Sequence, residues 1–153
     1  MRPRLLLLEP DAAFRLALIA ALREAFDVSV PNRDDDLLRL ARALRPDVAL
    51  FAAGDRQRGE AMRLSRVLKT DVRSVPALGL YTHRGERGPS AAAVKDVAAD
   101  GFLPSVVEPG ALLPFAVALA RGEVVLPNPW PDTAPLGLRR VLTRLLGRLG
   151  SSG

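Results

Sequence analysis

Short apolar segments recur along the first 126 residues and alternate with segments whose apolar residues repeat every three or four positions. Residues 47–54 are the clearest short segment, with no charged side chain from Val48 to Gly54. A strand buried on both faces of a parallel sheet has this pattern. The other predicted strands are residues 5–8, 27–31, 75–81 and 101–103.

Helical spacing predicts five helices between and after these strands. The first covers residues 12–25, and Asp11 can cap it. The others are predicted from residue 34 to residue 44 and near residues 61–68, 91–98 and 109–120. This alternation predicts an α/β fold, namely one doubly wound, five-stranded parallel sheet with helices on both faces.

The chain changes character after residue 126. Residues 127–135 contain four prolines and predict a stiff linker between the domain of residues 1–126 and the tail. Residues 136–149 predict a C-terminal amphipathic helix with an aliphatic side and a basic side, the latter formed by Arg139, Arg140, Arg144 and Arg148. Residues 150–153 are predicted to be a disordered end.

Charge and cysteine content narrow the class of protein. The net charge is +5, but the 18 basic residues up to Pro135 offset all 17 acidic residues to within one charge, so the excess lies in the tail. There are no cysteines, which excludes disulfides and thiolate chemistry and favours a reducing cytoplasm. Four leucines before Glu9 are too few for a signal peptide or a membrane span.

Two polar clusters are candidate sites of chemistry. The aspartates at positions 34–36 could suggest a metal site, but adjacent helical residues point in different directions, and three acids at a helix start are favoured by its dipole. His83 with Arg84 and Arg87 could form an anion site in a glycine-containing loop, although a solvated loop is the simpler interpretation. The central strand itself ends in Ala52, Ala53 and Gly54, which supply no reactive group.

The chain resembles a response-regulator receiver domain over roughly residues 3–126. The resemblance rests on short sequence segments that occur in the same order as in receivers, at residues 7–9, 45–50, 75–76, 99–103 and 118–127. It implies a flavodoxin-like, receiver-like sheet. The last of these segments is similar to the C-terminal end of receivers that precede a helix-turn-helix effector.

Receiver chemistry, as the resemblance implies it, needs five groups. They are a phosphoacceptor aspartate ending the third strand, two acids after the first strand for Mg²⁺, a hydroxyl ending the fourth strand and a lysine after the fifth. The positions are occupied here by Ala52, Glu9, Pro10, Tyr81 and Ser105, respectively, with the acid pair read as Glu9 and Pro10. Only Glu9 fits. The resemblance therefore implies a degenerate pseudo-receiver with no catalytic residue, no metal and no cofactor, which is not an enzyme.

Alternatives at this site follow from small shifts of register. Asp55 or Asp11 could approach the site, and Thr82 could replace Tyr81. Without the missing charges, Ala52, Pro10 and Val106 are expected to pack as ordinary apolar groups in a filled and rigid pocket.

Tyr81 and Phe102 stand where the resemblance implies a coupled hydroxyl and aromatic. They could fix one state of the surface formed by the fourth helix, the fifth strand and the fifth helix, or they could simply be core residues. We expect that surface, with Phe102, Leu113 and Val117, to bind a protein partner or a second copy.

The sequence thus predicts a cytoplasmic, phosphorylation-independent adaptor or dimerisation module. The alternative is a transcription-associated regulator whose tail arginines contact nucleic acid, although no recognition helix follows. The tail helix could dock on the domain or a second copy, contact nucleic acid, or lie on an anionic membrane surface.

Overall fold

The computed structural model describes residues 1–32, 36–71 and 75–131. The strands are β1 (Arg4–Leu8), β2 (Asp27–Ser29), β3 (Val48–Ala52), β4 (Ala77–His83) and β5 (Gly101–Val106). The helices are α1 (Ala12–Leu22), α2 (Asp36–Leu44), α3 (Arg58–Asp71), α4 (Ala91–Asp96) and α5 (Leu112–Ala120), the last preceded by a 3-10 turn (Pro109–Ala111). Within this described part, no helix combines the length and apolarity that a membrane crossing requires.

The sheet confirms the predicted architecture. All five strands are parallel, in the order β2-β1-β3-β4-β5. β3 lies at the centre, and all five of its residues are buried. Because Leu8 pairs with Phe51 and Ala52 pairs with Tyr81, the carboxyl ends of β1, β3 and β4 lie side by side.

Helices cover both faces of the sheet, each over its own apolar cluster. On one face α1 and α5 contribute Leu18, Leu22, Phe115 and Leu119. On the other face α2, α3 and α4 contribute Leu37, Leu68 and Val94. The side chains of Ala52 and Tyr81 belong to the α1–α5 face.

Several boundaries differ from the predicted ones. α1 ends at Leu22, because the chain then turns and brings Phe26 into the core with 1% of its surface exposed. β2 stops at Ser29, two residues before Pro31, whose ring nitrogen has no proton to donate to a strand ladder. β4 and β5 both extend further than predicted, through a register shift that ends with His83 paired to Val106.

Two glycines allow α5 to approach the sheet closely. A Cβ at Gly79 would lie 2.6 Å from Leu119 Cδ1, and a Cβ at Gly101 would lie 2.8 Å from Phe115 Cε1. Both distances are shorter than a side chain tolerates. Glycine at these strand positions is therefore a packing requirement, as a close approach of a neighbouring element predicts.

The chain beyond α5 runs along the edge of β5. Val125 accepts a hydrogen bond from Phe102 N at 2.9 Å and donates one to Asp100 O at 2.9 Å. Trp130 then stacks on Phe102 with ring centroids 5.2 Å apart, and its Nε1 donates to Pro89 O at 3.2 Å. The predicted linker is thus held to the domain at Trp130.

The remainder of the predicted tail lies outside the described residues. This applies to the linker from residue 132, to the amphipathic helix at 136–149 with Arg139, Arg140, Arg144 and Arg148, and to the end at 150–153. Asp34 and Asp35 also lie outside the described residues.

Candidate functional site

A buried carboxylate, Glu9, lies at the carboxyl edge of the sheet directly after β1. Its side chain is 1% exposed. Its Oε2 accepts a hydrogen bond from Asp11 N at 3.0 Å, and its Oε1 accepts one from the Tyr81 hydroxyl at 3.0 Å. The Nε2 atom of His83 lies 2.6 Å from the same Oε1. A hydrogen bond from the imidazole to the carboxylate form of Glu9 requires the tautomer in which Nε2 carries the proton, because a carboxylate oxygen only accepts.

The partners of Glu9 reach it across the central strand. Tyr81 and His83 are two residues apart on β4 and therefore face the same side of the sheet. β3 lies between β1 and β4, and Ala52 is its residue at this crossing. Neighbouring strands are about 4.8 Å apart, so the phenol of Tyr81 must pass over the position of one intervening side chain. The methyl group of Ala52 leaves it room.

Phe14 of α1 covers this bridge from above. Its ring stacks on Tyr81 with centroids 6.5 Å apart and meets the His83 ring edge-on at 4.3 Å. Asp11 fixes the start of α1, because its Oδ1 accepts a hydrogen bond from Phe14 N at 2.9 Å. The aromatic cover excludes water from the Tyr81 hydroxyl, which strengthens its interaction with Glu9.

The environment keeps Tyr81 protonated. Burial raises the pKa of its phenol well above the ordinary value, and the charge and hydrogen bond of Glu9 raise it further, followed by the charge of Glu86. Tyr81 is therefore a hydrogen-bond donor at neutral pH. Its function here is to hold Glu9 in place.

The structure places the other positions that the resemblance compares away from the bridge between Glu9, Tyr81 and His83. Ser105 is exposed and adopts a left-handed backbone with φ 57°, and its N–H donates to Thr82 Oγ1 at 3.1 Å. Thr82 alternates with Tyr81 along β4, so its side chain faces the opposite side of the sheet and does not replace Tyr81. Asp11 is a helix cap, and Asp55 is exposed beyond the end of β3.

The loop after β4 does not bring together the three groups of the possible anion site. The ring of His83 contacts Glu9 instead of joining Arg84 and Arg87, which are both exposed. Glu86 occupies the inner side of this loop, where its Oε1 accepts a hydrogen bond from His83 N at 2.7 Å. Its carboxylate also lies where a Cβ of Gly54 would be. The structure therefore supports neither the anion site nor a fully solvated loop for His83, whose ring contacts a buried carboxylate.

For Tyr81 and Phe102 the structure agrees with the second alternative, that both are core residues. The two rings lie on opposite faces of the sheet, Tyr81 in the α1–α5 cluster and Phe102 in the cluster under α2, α3 and α4. Phe102 is 2% exposed and is covered by Trp130, so it is not a surface residue for a partner. Tyr81 and Phe102 are not paired with each other but are offset by one position in the register of β4 and β5. Because successive side chains of a strand alternate between the two faces of the sheet, this offset places the two rings on opposite faces.

The expected filled pocket is present only in part. Ala52 and Val106 are 2% and 4% exposed and pack as apolar groups, as predicted. Pro10 is exposed, however, and lines a cleft of about 330 Å³ between β1 and β3. The expectation of a filled pocket is therefore wrong on this side of Ala52.

The described residues offer no metal centre of three or more His, Cys, Asp or Glu side chains. Around Glu9 the reason is local. Glu9 is occupied by Tyr81 and His83, and Asp11 caps α1. A hard divalent cation requires several free oxygen ligands.

Comparison with known proteins identifies the fold. No protein-family model and no curated protein matches the chain. Solved structures do match, and those reported below are response regulators. The described chain has the receiver fold. The three structures described in the next paragraph are each under 25% identical to this chain, so the likeness shows the fold alone.

Three of these receiver structures illustrate the match. A DNA-binding response regulator of the LuxR family from Silicibacter pomeroyi has 23% identity and a TM-score of 0.62, covering 84% of this chain and 99% of that chain. A response regulator from Burkholderia multivorans has 22% identity and a TM-score of 0.57, covering 78% and 96%. A CheY-like receiver domain protein from Methanospirillum hungatei has 16% identity and a TM-score of 0.61, covering 80% and 96%.

Sequence reasoning missed His83 as a partner of Glu9. The signal was the spacing of Tyr81 and His83 in a strand, which puts both on one face if β4 continues to residue 83. The predicted strand stops at Tyr81, which leaves His83 in a loop.

Proposed function

We propose that this protein is a pseudo-receiver that acts by binding another protein, independently of phosphorylation. The observation that carries the proposal is the bridge from Tyr81 and His83 to Glu9 over Ala52. An acyl phosphate cannot form on alanine. The remaining acid of the pocket is held in hydrogen bonds and is not free for a metal ion or a phosphoryl group.

A phosphorylation assay tests the chemical half of this proposal. The full chain is incubated with acetyl phosphate and Mg²⁺ and analysed by intact-mass spectrometry. We expect no stable phosphoryl adduct. The Ala52→Asp variant should also remain unmodified, because Pro10 and Ser105 still occupy the second acid and lysine positions. A stable aspartyl phosphate on the unaltered chain, on Asp55 or Asp11, would overturn the proposal.

The proposed protein-binding surface is formed by α4, β5 and α5. Leu113 and Val117 of α5 are half-buried and can add to an interface. Phe102 no longer belongs to this surface, because Trp130 covers it. The predicted helix at 136–149 would add its aliphatic side to this surface. Each of its six aliphatic side chains would stabilise the interface by about 1.5–3 kcal/mol when fully covered.

Measurement of the oligomeric state tests the interface. A charged residue at Leu113 or Val117 should shift a homodimer toward monomer in analytical ultracentrifugation. Leu16→Glu is the matched control, since Leu16 is 70% exposed on α1, outside the proposed surface. If Leu16→Glu dissociates the dimer and the α5 variants do not, the interface is wrongly placed. A chain that is monomeric and captures no partner through α5 contradicts the adaptor function.

The alternative function, contact with nucleic acid, has its own test. One structural neighbour is a DNA-binding regulator, and the four tail arginines could bind phosphates. The adaptor proposal predicts no more than weak, salt-sensitive DNA binding. Tight binding that falls steeply with salt and disappears on deletion of residues 136–153 would favour the alternative.

A further inference from the structure

The cleft between β1 and β3 lies where open α/β sheets bind ligands. The strand order β2-β1-β3-β4-β5 reverses direction between β1 and β3, and the connections that leave these two strands pass to opposite faces. A crevice forms outside the carboxyl ends of the strands at such a switch point. Here it has a volume of about 330 Å³, at the lower end of the range for small-molecule sites.

The floor and one wall of this cleft are apolar. Leu8 and Ala52 end the two strands, and Val30 and Ala61 add further apolar surface. With alanine at position 52, the central strand ends without a carboxylate. The cleft can therefore accept the hydrocarbon part of a ligand without burying an unpaired charge.

Among the described residues, the cleft is lined by equal numbers of basic and acidic side chains, and both acids already have partners. Arg15 and Arg56 line it together with two acids, Glu9 and Glu60. Glu9 is bonded to Tyr81 and His83 on the far side, and Glu60 is paired with Arg63. The acids are thus engaged elsewhere.

The two guanidinium groups retain donors for a ligand. Arg15 uses NH1 to donate to Glu9 O at 2.8 Å, which leaves its other N–H groups. Arg56 is exposed and forms no hydrogen bond or ion pair with the described residues. A guanidinium matches the geometry of a carboxylate or phosphate. Two such groups disfavour a divalent cation.

We propose that the cleft between Pro10 and Arg56 binds a small organic anion, whose acidic group contacts Arg15 and Arg56 and whose apolar part lies over Ala52. This inference does not depend on the proposed protein-binding function. The acidic group can be a carboxylate or a phosphate ester, since the guanidinium geometry fits both.

NMR titration of the full, isotopically labelled chain tests the site with four defined probes. Benzoate and phenyl phosphate carry both features, inorganic phosphate lacks the apolar part, and benzyl alcohol lacks the charge. We expect saturable shifts of backbone amides at residues 8–15 and 52–57 with benzoate, phenyl phosphate or both. The better of these two acids then indicates whether a carboxylate or a phosphate ester is preferred.

Arginine variants test the charge requirement. Arg56→Gln should weaken binding of the better probe by about tenfold, the loss expected for one hydrogen bond to a charged group. Arg42→Gln is the matched control, because Arg42 is an exposed arginine in the last turn of α2, at the opposite end of the sheet. It should leave the affinity unchanged.

The proposal is overturned by any of four results. The first is the absence of saturable shifts at these residues with both acids. The second is equal binding of benzyl alcohol, which would exclude a need for charge. The third is inorganic phosphate binding as tightly as phenyl phosphate and benzoate, which would exclude the apolar part. Equal losses for the Arg56 and Arg42 variants would also contradict the assigned site.

Discussion

Introducing an aspartate at position 52 should destabilise this protein. The Tyr81 hydroxyl bonds to Glu9 across Ala52, whose side chain is 2% exposed. A carboxymethyl group at this position would occupy the space that the phenol uses, and it would place a second carboxylate beside Glu9. The acid that the resemblance implies for phosphorylation is therefore incompatible with the bridge seen here.

The magnitude can be estimated from two separate effects. Loss of the Tyr81 hydrogen bond to a charged acceptor costs about 1.5–3 kcal/mol. Burial next to a like charge raises the pKa of an aspartate by about 3 units. Each unit lowers the stability of the folded state by about 1.4 kcal/mol at neutral pH. We expect Ala52→Asp to lower the free energy of unfolding by about 4–6 kcal/mol at pH 7, against a typical total of about 5–15 kcal/mol.

Ala52→Asn is the matched control, since its side chain has nearly the same shape without the charge. It should show the cost of overpacking and of the lost hydrogen bond, but not the cost of the buried charge. Urea denaturation followed by circular dichroism, from about pH 4 to about pH 8, gives both free energies of unfolding.

The difference between the two variants should depend on pH in a defined direction. The folded-state pKa of the carboxyl introduced at position 52 would be raised, so the protonated form is tolerated. The Ala52→Asp variant should therefore approach the stability of Ala52→Asn near about pH 4, and lose stability as pH rises through and beyond the unfolded-state pKa. Equal stability of the two variants at pH 7 would refute the reasoning, as would an aspartate variant as stable as the unaltered protein.

Three further predictions concern the sheet and its C-terminal cover. Tyr81 is the only tyrosine, so the phenolate absorbance should titrate well above pH 10 in the folded state. Stability relative to Tyr81→Phe should fall as pH rises above about 10, because the phenol of the unfolded chain ionises first. A normal titration would contradict the buried bridge. Gly79→Ala should lower the free energy of unfolding by about 1–3 kcal/mol through overpacking against α5. Gly59→Ala is the control: no atom lies within 4 Å of its added Cβ, so it should be neutral or stabilising in thermal unfolding. Equal effects would show that α5 does not approach the strand. The sole tryptophan, Trp130, should be protected from iodide quenching until the domain unfolds, and Trp130→Ala should cost about 1–2 kcal/mol; free quenching in the folded state would mean that the indole does not stack on Phe102.

Most of the fold could be predicted from the pattern of apolar residues. A run such as 48–52 can be buried on both faces only in the middle of a parallel sheet, and helical segments between such runs leave few alternatives for topology. Element ends were less predictable. Phe26 shortened α1 and the pairing of His83 with Val106 lengthened β4, because these limits depend on contacts with residues far away in the chain.

The pocket around Ala52 was only partly predictable. That Ala52 and Ser105 lack receiver chemistry follows from their identity and position alone, since a methyl or hydroxyl group cannot take the place of the expected aspartate or lysine. The hydrogen bonds of Glu9 could not be predicted in this way. They join residues 72 and 74 positions apart, and they require the strand order β1-β3-β4.

The sequence by itself thus determined which elements form, which face of each is apolar and which side chains end the central strands. The tertiary structure decided which groups these side chains contact. It placed Tyr81 and His83 against Glu9, covered Phe102 with Trp130 and left a cleft beside Pro10. The physical reason is that burial patterns are local properties of a chain, whereas hydrogen bonds and cavities at a sheet edge depend on how strands distant in sequence are aligned.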